Sequence, residues 1–96
     1  MRYEILLAPE AAQQFKTLRA FDRAAIREAL ETHLRHRPDH LSKSRIKRLR
    51  GLSRPQYRLR VNDFRVFYDI IDQEVQVLAI IAKKEAKAWL EESGEA

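Results

Sequence analysis

The sequence predicts one small α+β domain in the order β-α-α-β-β-β-α, with helices packed on one face of a twisted, antiparallel-rich sheet. Three observations lead there. Apolar residues between Pro9 and Leu34 recur with a helical period, those between Tyr57 and Ala82 alternate with a period of two, and 96 residues leave room for a single core.

The opening strand, residues 3 to 8, ends at Pro9, whose missing N–H costs nothing in the first position of a helix. Ala12, Phe15 and Leu18 follow at helical spacing. Asp22 is the expected N-cap of a second helix, in which Ile26, Ala29, Leu30, His33 and Leu34 form one stripe that ends near Pro38. Residues 39 to 55 read as a basic loop punctuated by Gly51 and Pro55. Then the period changes. Tyr57, Leu59 and Val61 alternate with Arg58 and Arg60, and Asn62-Asp63 offers turn chemistry. A second strand runs from Phe64 to Ile71, turns at Asp72-Gln73 and returns from Val75 to Ala82. A closing helix starts at about Lys83, with Trp89 and Leu90 placed to anchor it on the sheet. Residues 1 to 96 are expected to form one domain with a frayed tail over about 92 to 96.

Charge is distributed unevenly. Residues 1 to 42 contribute a net +1, residues 43 to 65 contribute +8, and residues 66 to 96 contribute −4. In the middle block Lys43, Arg45, Lys47, Arg48, Arg50, Arg54, Arg58, Arg60 and Arg65 face Asp63 alone, which suits an anionic partner. The chain has no cysteine, so disulfides and thiolate metal sites are excluded, as a reducing compartment favours. No apolar run approaches the roughly 20 residues that span a bilayer. The expected location is the cytoplasm, with no membrane partner.

With Asn62-Asp63 as a two-residue loop, Val61 opposes Phe64, Arg60 opposes Arg65, and Arg58 opposes Phe67. Three arginines then share one face, while Tyr57, Leu59, Val61, Phe64, Val66 and Tyr68 share the other. Like charges directly opposite on a sheet are destabilising. Guanidinium groups bind phosphate bidentately and do not lose their protons, so this cluster suits an RNA backbone and the charge of a pentacovalent phosphate.

At this point the chain resembles the RelE/ParE superfamily of bacterial type II toxins. The resemblance rests on the Tyr3-Glu4-Ile5 strand with Ala8-Pro9-Glu10-Ala11 and on Leu49-Arg50-Gly51-Leu52. It continues through Tyr57-Arg58-Leu59-Arg60-Val61, Phe64-Arg65-Val66-Phe67-Tyr68 and Val75-Gln76-Val77-Leu78-Ala79-Ile80-Ile81 before a basic pair. It covers nearly the whole chain and implies a small α+β domain of helices on an antiparallel sheet. RelE-like members cut mRNA in the ribosomal A site and ParE-like members act on DNA gyrase. The basic strands favour the RelE-like branch. The resemblance then implies an endoribonuclease that uses neither metal nor cofactor, in which the RNA 2′-hydroxyl attacks to leave a cyclic phosphate and a free 5′-hydroxyl. It carries the phosphate-binding roles onto Arg58, Arg60 and Arg65. It also implies a cognate antitoxin, mRNA on the ribosome, and operator DNA bound by the toxin–antitoxin pair.

The chain departs from the pattern near the last helix, where a further arginine and a tyrosine are usual and Lys83, Lys84, Lys87 and Trp89 stand instead. Lys84, or secondarily Lys83, is the candidate for charging the phosphate or protonating the leaving oxygen. Lys47, Arg48, Arg50, Arg54, Lys83 and Trp89 complete the expected nucleic-acid contacts, Trp89 by stacking on a base or else as a core residue. His33, His36 and His40 are read as structural, and no metal-ligand spacing such as His-Glu-x-x-His occurs. Two alternatives stand beside the nuclease: a gyrase inhibitor, and a catalytically weak nucleic-acid-binding module.

Overall fold

A computed structural model describes residues 1–96. Its elements are β1 (Glu4–Leu7), α1 (Pro9–Lys16), α2 (Ala20–Ala29), β2 (Ile46–Arg48), β3 (Tyr57–Val61), β4 (Phe64–Ile71), β5 (Glu74–Ala82) and α3 (Ala86–Ser93). One π-helical turn, Leu30–Leu34, prolongs α2, and a 3₁₀ turn, Lys83–Glu85, leads into α3. The five strands form one sheet in the order β1-β5-β4-β3-β2, in which β1 lies parallel to β5 and the other pairs are antiparallel. The predicted α+β class is the observed one.

The first hairpin has the expected register, with Val61 paired to Phe64, and the second closes at Ile71 paired to Glu74, one residue before the expected start of its return strand. Each loop opens on a residue with positive φ, Asn62 at 51° and Asp72 at 55°. Asn and Asp tolerate that region better than other non-glycine residues, which is why the chain turns there. Beyond the turns, β4 and β5 alternate until a bulge at Leu78, where Phe67 faces Ala79 and Tyr68 faces Val77.

The core lies between α1, α2 and one face of the sheet. Ala11, Ile26 and Leu34 pack against Leu59, Val66, Tyr68, Val75, Val77 and Ile80. Full burial of aliphatic side chains such as these contributes about 1.5–3 kcal/mol each. Tyr57 stacks on Tyr68 at 5.4 Å, and the Tyr68 hydroxyl donates to the Pro38 carbonyl at 2.6 Å, tying the segment after α2 to the sheet. Burial above all, with Tyr57 and Asp39 adding, holds the Tyr68 phenol far above its usual pKa. Beyond Val77, where β1 ends, Gln14 of α1 accepts from the Ile80 N–H at 2.7 Å and substitutes for a strand partner.

Four details differ from the sequence expectation. The basic loop contains the short strand β2, whose Ile46 is buried beside Leu59. Helix α2 is capped at Arg19, and Asp22 sits in its first turn, 3.3 Å from the Arg19 guanidinium, where a carboxylate favours the helix dipole. The tail is held rather than frayed: Glu95 exchanges backbone hydrogen bonds with Arg54, and its carbonyl also accepts from the Ser53 N–H at 2.7 Å. Finally, α3 leaves the helical layer. Its Trp89 stacks at 5.0 Å on Phe67, which alternation places on the arginine face.

Candidate nucleic-acid interface

Alternation along β3 and β4 puts Arg58, Arg60, Arg65 and Phe67 on one face, with Arg60 directly opposite Arg65 and Arg58 opposite Phe67. The edge strand extends it, because Lys47 pairs with Arg58. α3 and the loop around Leu49 and Leu52 rise on either side of this face. Between them lies a groove of about 750 Å³ whose wall includes Arg58, Arg65, Phe67, Lys83, Lys87 and Glu91.

The two arginines in the groove differ in their attachments. Arg65 is 8% exposed, and one terminal nitrogen donates to the carbonyls of Asn62 and Phe64 at 3.1 and 2.9 Å, bracing the hairpin turn. Arg58 is part-buried, and its Nε has no hydrogen-bond partner. Burial first, then Arg65 and Arg60, lowers the Arg58 pKa from the ordinary arginine value. Burial and Arg60 do the same for Arg65, with Asp63 opposing. Both shifts have the sign expected of cations crowded together in a partly dry site. A buried polar nitrogen without a partner costs about 1–3 kcal/mol, and a phosphate oxygen would remove that cost.

The remaining expected contacts scatter. Arg60 is exposed and lines a neighbouring hollow with Ser44, Arg45 and Asn62. Lys84 lines a separate hollow with Asp63, Ala82 and Lys83, whereas Lys83 itself reaches the groove. Arg48 pairs with Tyr57, so it belongs to the opposite face, where its guanidinium lies 5.2 Å from the Tyr57 ring and donates to the Gln56 carbonyl at 2.9 Å. Arg54 is committed to the buried carboxylate of Asp69 at 2.8 Å, and Asp69 also accepts from the Gln56 N–H at 2.7 Å. Arg50 is exposed beside Gly51. Trp89 is occupied on its ring face by Phe67 and at its N–H by Glu10, 2.7 Å away. Leu49, Leu52, Phe67 and Glu91 also line the groove and were not among the expected site residues. The aromatic Phe67 directly opposite Arg58 was the available signal.

The model of the ParE toxin of the type II toxin–antitoxin system parDE matches residues 5–87. The chain belongs to the ParE toxin family. It is a toxin of a type II toxin–antitoxin system within the RelE/ParE superfamily. Three solved structures share this toxin's fold. A chain of the toxin–antitoxin complex RelBE2 from Mycobacterium tuberculosis superposes with a TM-score of 0.71 at 21% identity, over 85% of this chain and 99% of that one. A chain of the archaeal RelE–RelB complex from Pyrococcus horikoshii gives 0.70 at 21% identity, over 86% and 97%. The RelB–RelE complex of Methanococcus jannaschii gives 0.66 at 18%, over 88% and 96%. A search of curated proteins finds no match. No helix of the toxin is long and apolar enough to cross a membrane.

Proposed function

We propose that this toxin is an mRNA interferase that cleaves translated message in the ribosomal A site by metal-independent attack of the RNA 2′-hydroxyl. The observation that carries the proposal is the partnerless buried Nε of Arg58, set beside Arg65 in a groove large enough for a nucleotide. In this scheme Arg58 and the free N–H groups of Arg65 hold the scissile phosphate. The 2′-oxygen bonds to phosphorus, the bond to the 5′-oxygen breaks, and the products carry a 2′,3′-cyclic phosphate and a 5′-hydroxyl. Charge that gathers on the phosphoryl oxygens meets fixed guanidinium groups, the kind of preorganised electrostatics that supplies much of enzymatic rate enhancement. Arginine does not serve as the base, because its proton is held too tightly. The acidic side chain on the groove wall is Glu91, and it accepts the 2′-hydroxyl proton in the proposed reaction. Lys83 or Lys87 protonates the departing oxygen, in the place first given to Lys84, which faces a different hollow.

The basic face suits capture by a cognate antitoxin and binding of operator DNA by the pair, since complementary charge speeds and orients association. Induced expression followed by primer extension on a translated message tests the nuclease directly. New 5′ ends within the reading frame are expected. Intact transcripts with continuing translation would rule it out.

The match to the ParE model favours a second reading, inhibition of DNA gyrase by binding. It predicts loss of supercoiling by purified gyrase with mRNA untouched. Unchanged supercoiling at excess toxin excludes it.

A further inference from the structure

Behind the edge strand β2, on the side away from the groove, the π-helical turn and the segment after it enclose a hollow of about 420 Å³. Its wall includes His33, His36, Arg37, His40, Ser44 and Arg45, and no carboxylate. The three ion pairs of the toxin are Arg19–Asp22, Arg35–Glu31 and Arg54–Asp69, so Arg37 and Arg45 have no acidic partner. A guanidinium only donates. With the Arg37 terminal nitrogen 3.2 Å from His40 Nδ1, that ring nitrogen is the acceptor and the ring proton sits on Nε2. The His40 ring therefore retains one free donor. With Arg37 and Arg45 on its wall and no acidic side chain, the hollow carries positive charge before any histidine is protonated; burial first, then the Arg45 charge, lowers the His33 pKa.

Ser44 and Arg45 also line the adjoining hollow that holds Arg60 and Asn62. The Arg60 N–H donates to the Arg45 carbonyl at 2.8 Å, which fixes the two segments side by side. The cationic surface is thus continuous from the arginine face through Arg60 and Arg45 to the histidine hollow. Arg60, although it shares a strand face with Arg58, lines this adjoining hollow and not the groove.

We propose that the His33–Arg37–His40–Arg45 hollow is a second phosphate site, and that RNA leaving the groove runs past Arg60 around β2 to reach it. The proposal rests on the interferase reading and extends it from a one-phosphate clamp to a track several nucleotides long. Fluorescence anisotropy with a labelled trinucleotide and a labelled 12-nucleotide RNA separates the two sites, because the trinucleotide reports the groove alone. The wild type is expected to bind the longer RNA more tightly. Arg45→Ala, and separately His40→Gln with Arg37→Gln, should weaken the 12-nucleotide RNA about tenfold while leaving the trinucleotide unchanged. Loss of one phosphate contact on a single strand also flattens the plot of log affinity against log salt by about 0.7. Lys16→Ala on the exposed side of α1 removes the same charge away from the track and should change neither affinity. Equal effects of Arg45→Ala and Lys16→Ala would show a merely solvated basic surface and overturn the proposal. A wild type that binds both RNAs equally overturns the track but leaves the groove standing. A wild type that binds neither overturns the RNA reading together with the track.

Discussion

Replacing Arg58 by methionine should stabilise the toxin and disable it. Methionine keeps a flexible apolar stem beside its cross-strand partner Phe67 but removes the charge and the partnerless Nε. Relief of that unsatisfied nitrogen is worth about 1–3 kcal/mol. Relief of repulsion from Arg65 and Arg60 adds about 0.2–1 kcal/mol, the scale of cross-strand pairs. Arg58 is only part-buried, so water already solvates some of its guanidinium, and the lower half of the combined range is the better expectation. A gain of about 1–2 kcal/mol corresponds to a rise in melting temperature of roughly 4–16 °C for a domain of this size. Cleavage should fall by about 10²–10³, the usual effect of removing one preorganised donor from a developing anion. Thermal denaturation followed by circular dichroism, paired with cleavage of a ribosome-bound message, measures both. A variant that is less stable than the wild type, or stabilised with full cleavage, would refute the reasoning. The first outcome would make Arg58 an ordinary packing residue, and the second would place the phosphate elsewhere.

Three further outcomes follow from the same geometry. Tyr68→Phe removes the hydroxyl that satisfies the buried Pro38 carbonyl and should cost about 1–3 kcal/mol in urea denaturation, with cleavage intact. Trp89→Phe keeps a ring on Phe67 but loses the bond to Glu10, so stability should drop by about 0.5–1.5 kcal/mol while RNA affinity stays within twofold; a large loss of affinity would restore Trp89 as a base-stacking residue. The lowered His33 pKa means that the unfolded chain takes up the proton first as pH falls. The His33 contribution is therefore unchanged well above the ordinary value of 6.5 and erodes on acidification below it, and His33→Gln should flatten that part of the stability profile. NMR titration of the imidazole gives the pKa shift independently.

The hairpin was legible in the sequence because Asn62-Asp63 is both a turn signal and a register lock. Once the loop is two residues, the partners of Arg58, Arg60 and Arg65 are determined by antiparallel geometry. β2 was not legible, since three residues in a basic loop give no usable period and only their antiparallel pairing with β3 makes them a strand. That omission also misplaced Arg48, whose face depends on pairing with Tyr57. Trp89 was recognisable as an anchor, but its side of the sheet depends on how α3 leaves β5. The 3₁₀ turn at Lys83–Glu85 sets that direction and decides that Lys83 and Lys87, and not Lys84, reach the groove. The tail is held to Ser53 and Arg54 chiefly through backbone groups, which every residue carries, so no side-chain pattern could have announced it. Arg54 looked like a free cation because its partner, Asp69, lies fifteen residues away on β4.

The most direct test of the phosphate clamp is the end chemistry of message incubated with ribosomes and purified toxin. A 2′,3′-cyclic phosphate upstream and a 5′-hydroxyl downstream are expected with the wild type, and neither product in comparable yield with Arg58→Met. Message left whole by the wild type, or cut as efficiently by Arg58→Met, would contradict the assignment of Arg58 and Arg65 as the groups that bind and activate the scissile phosphate.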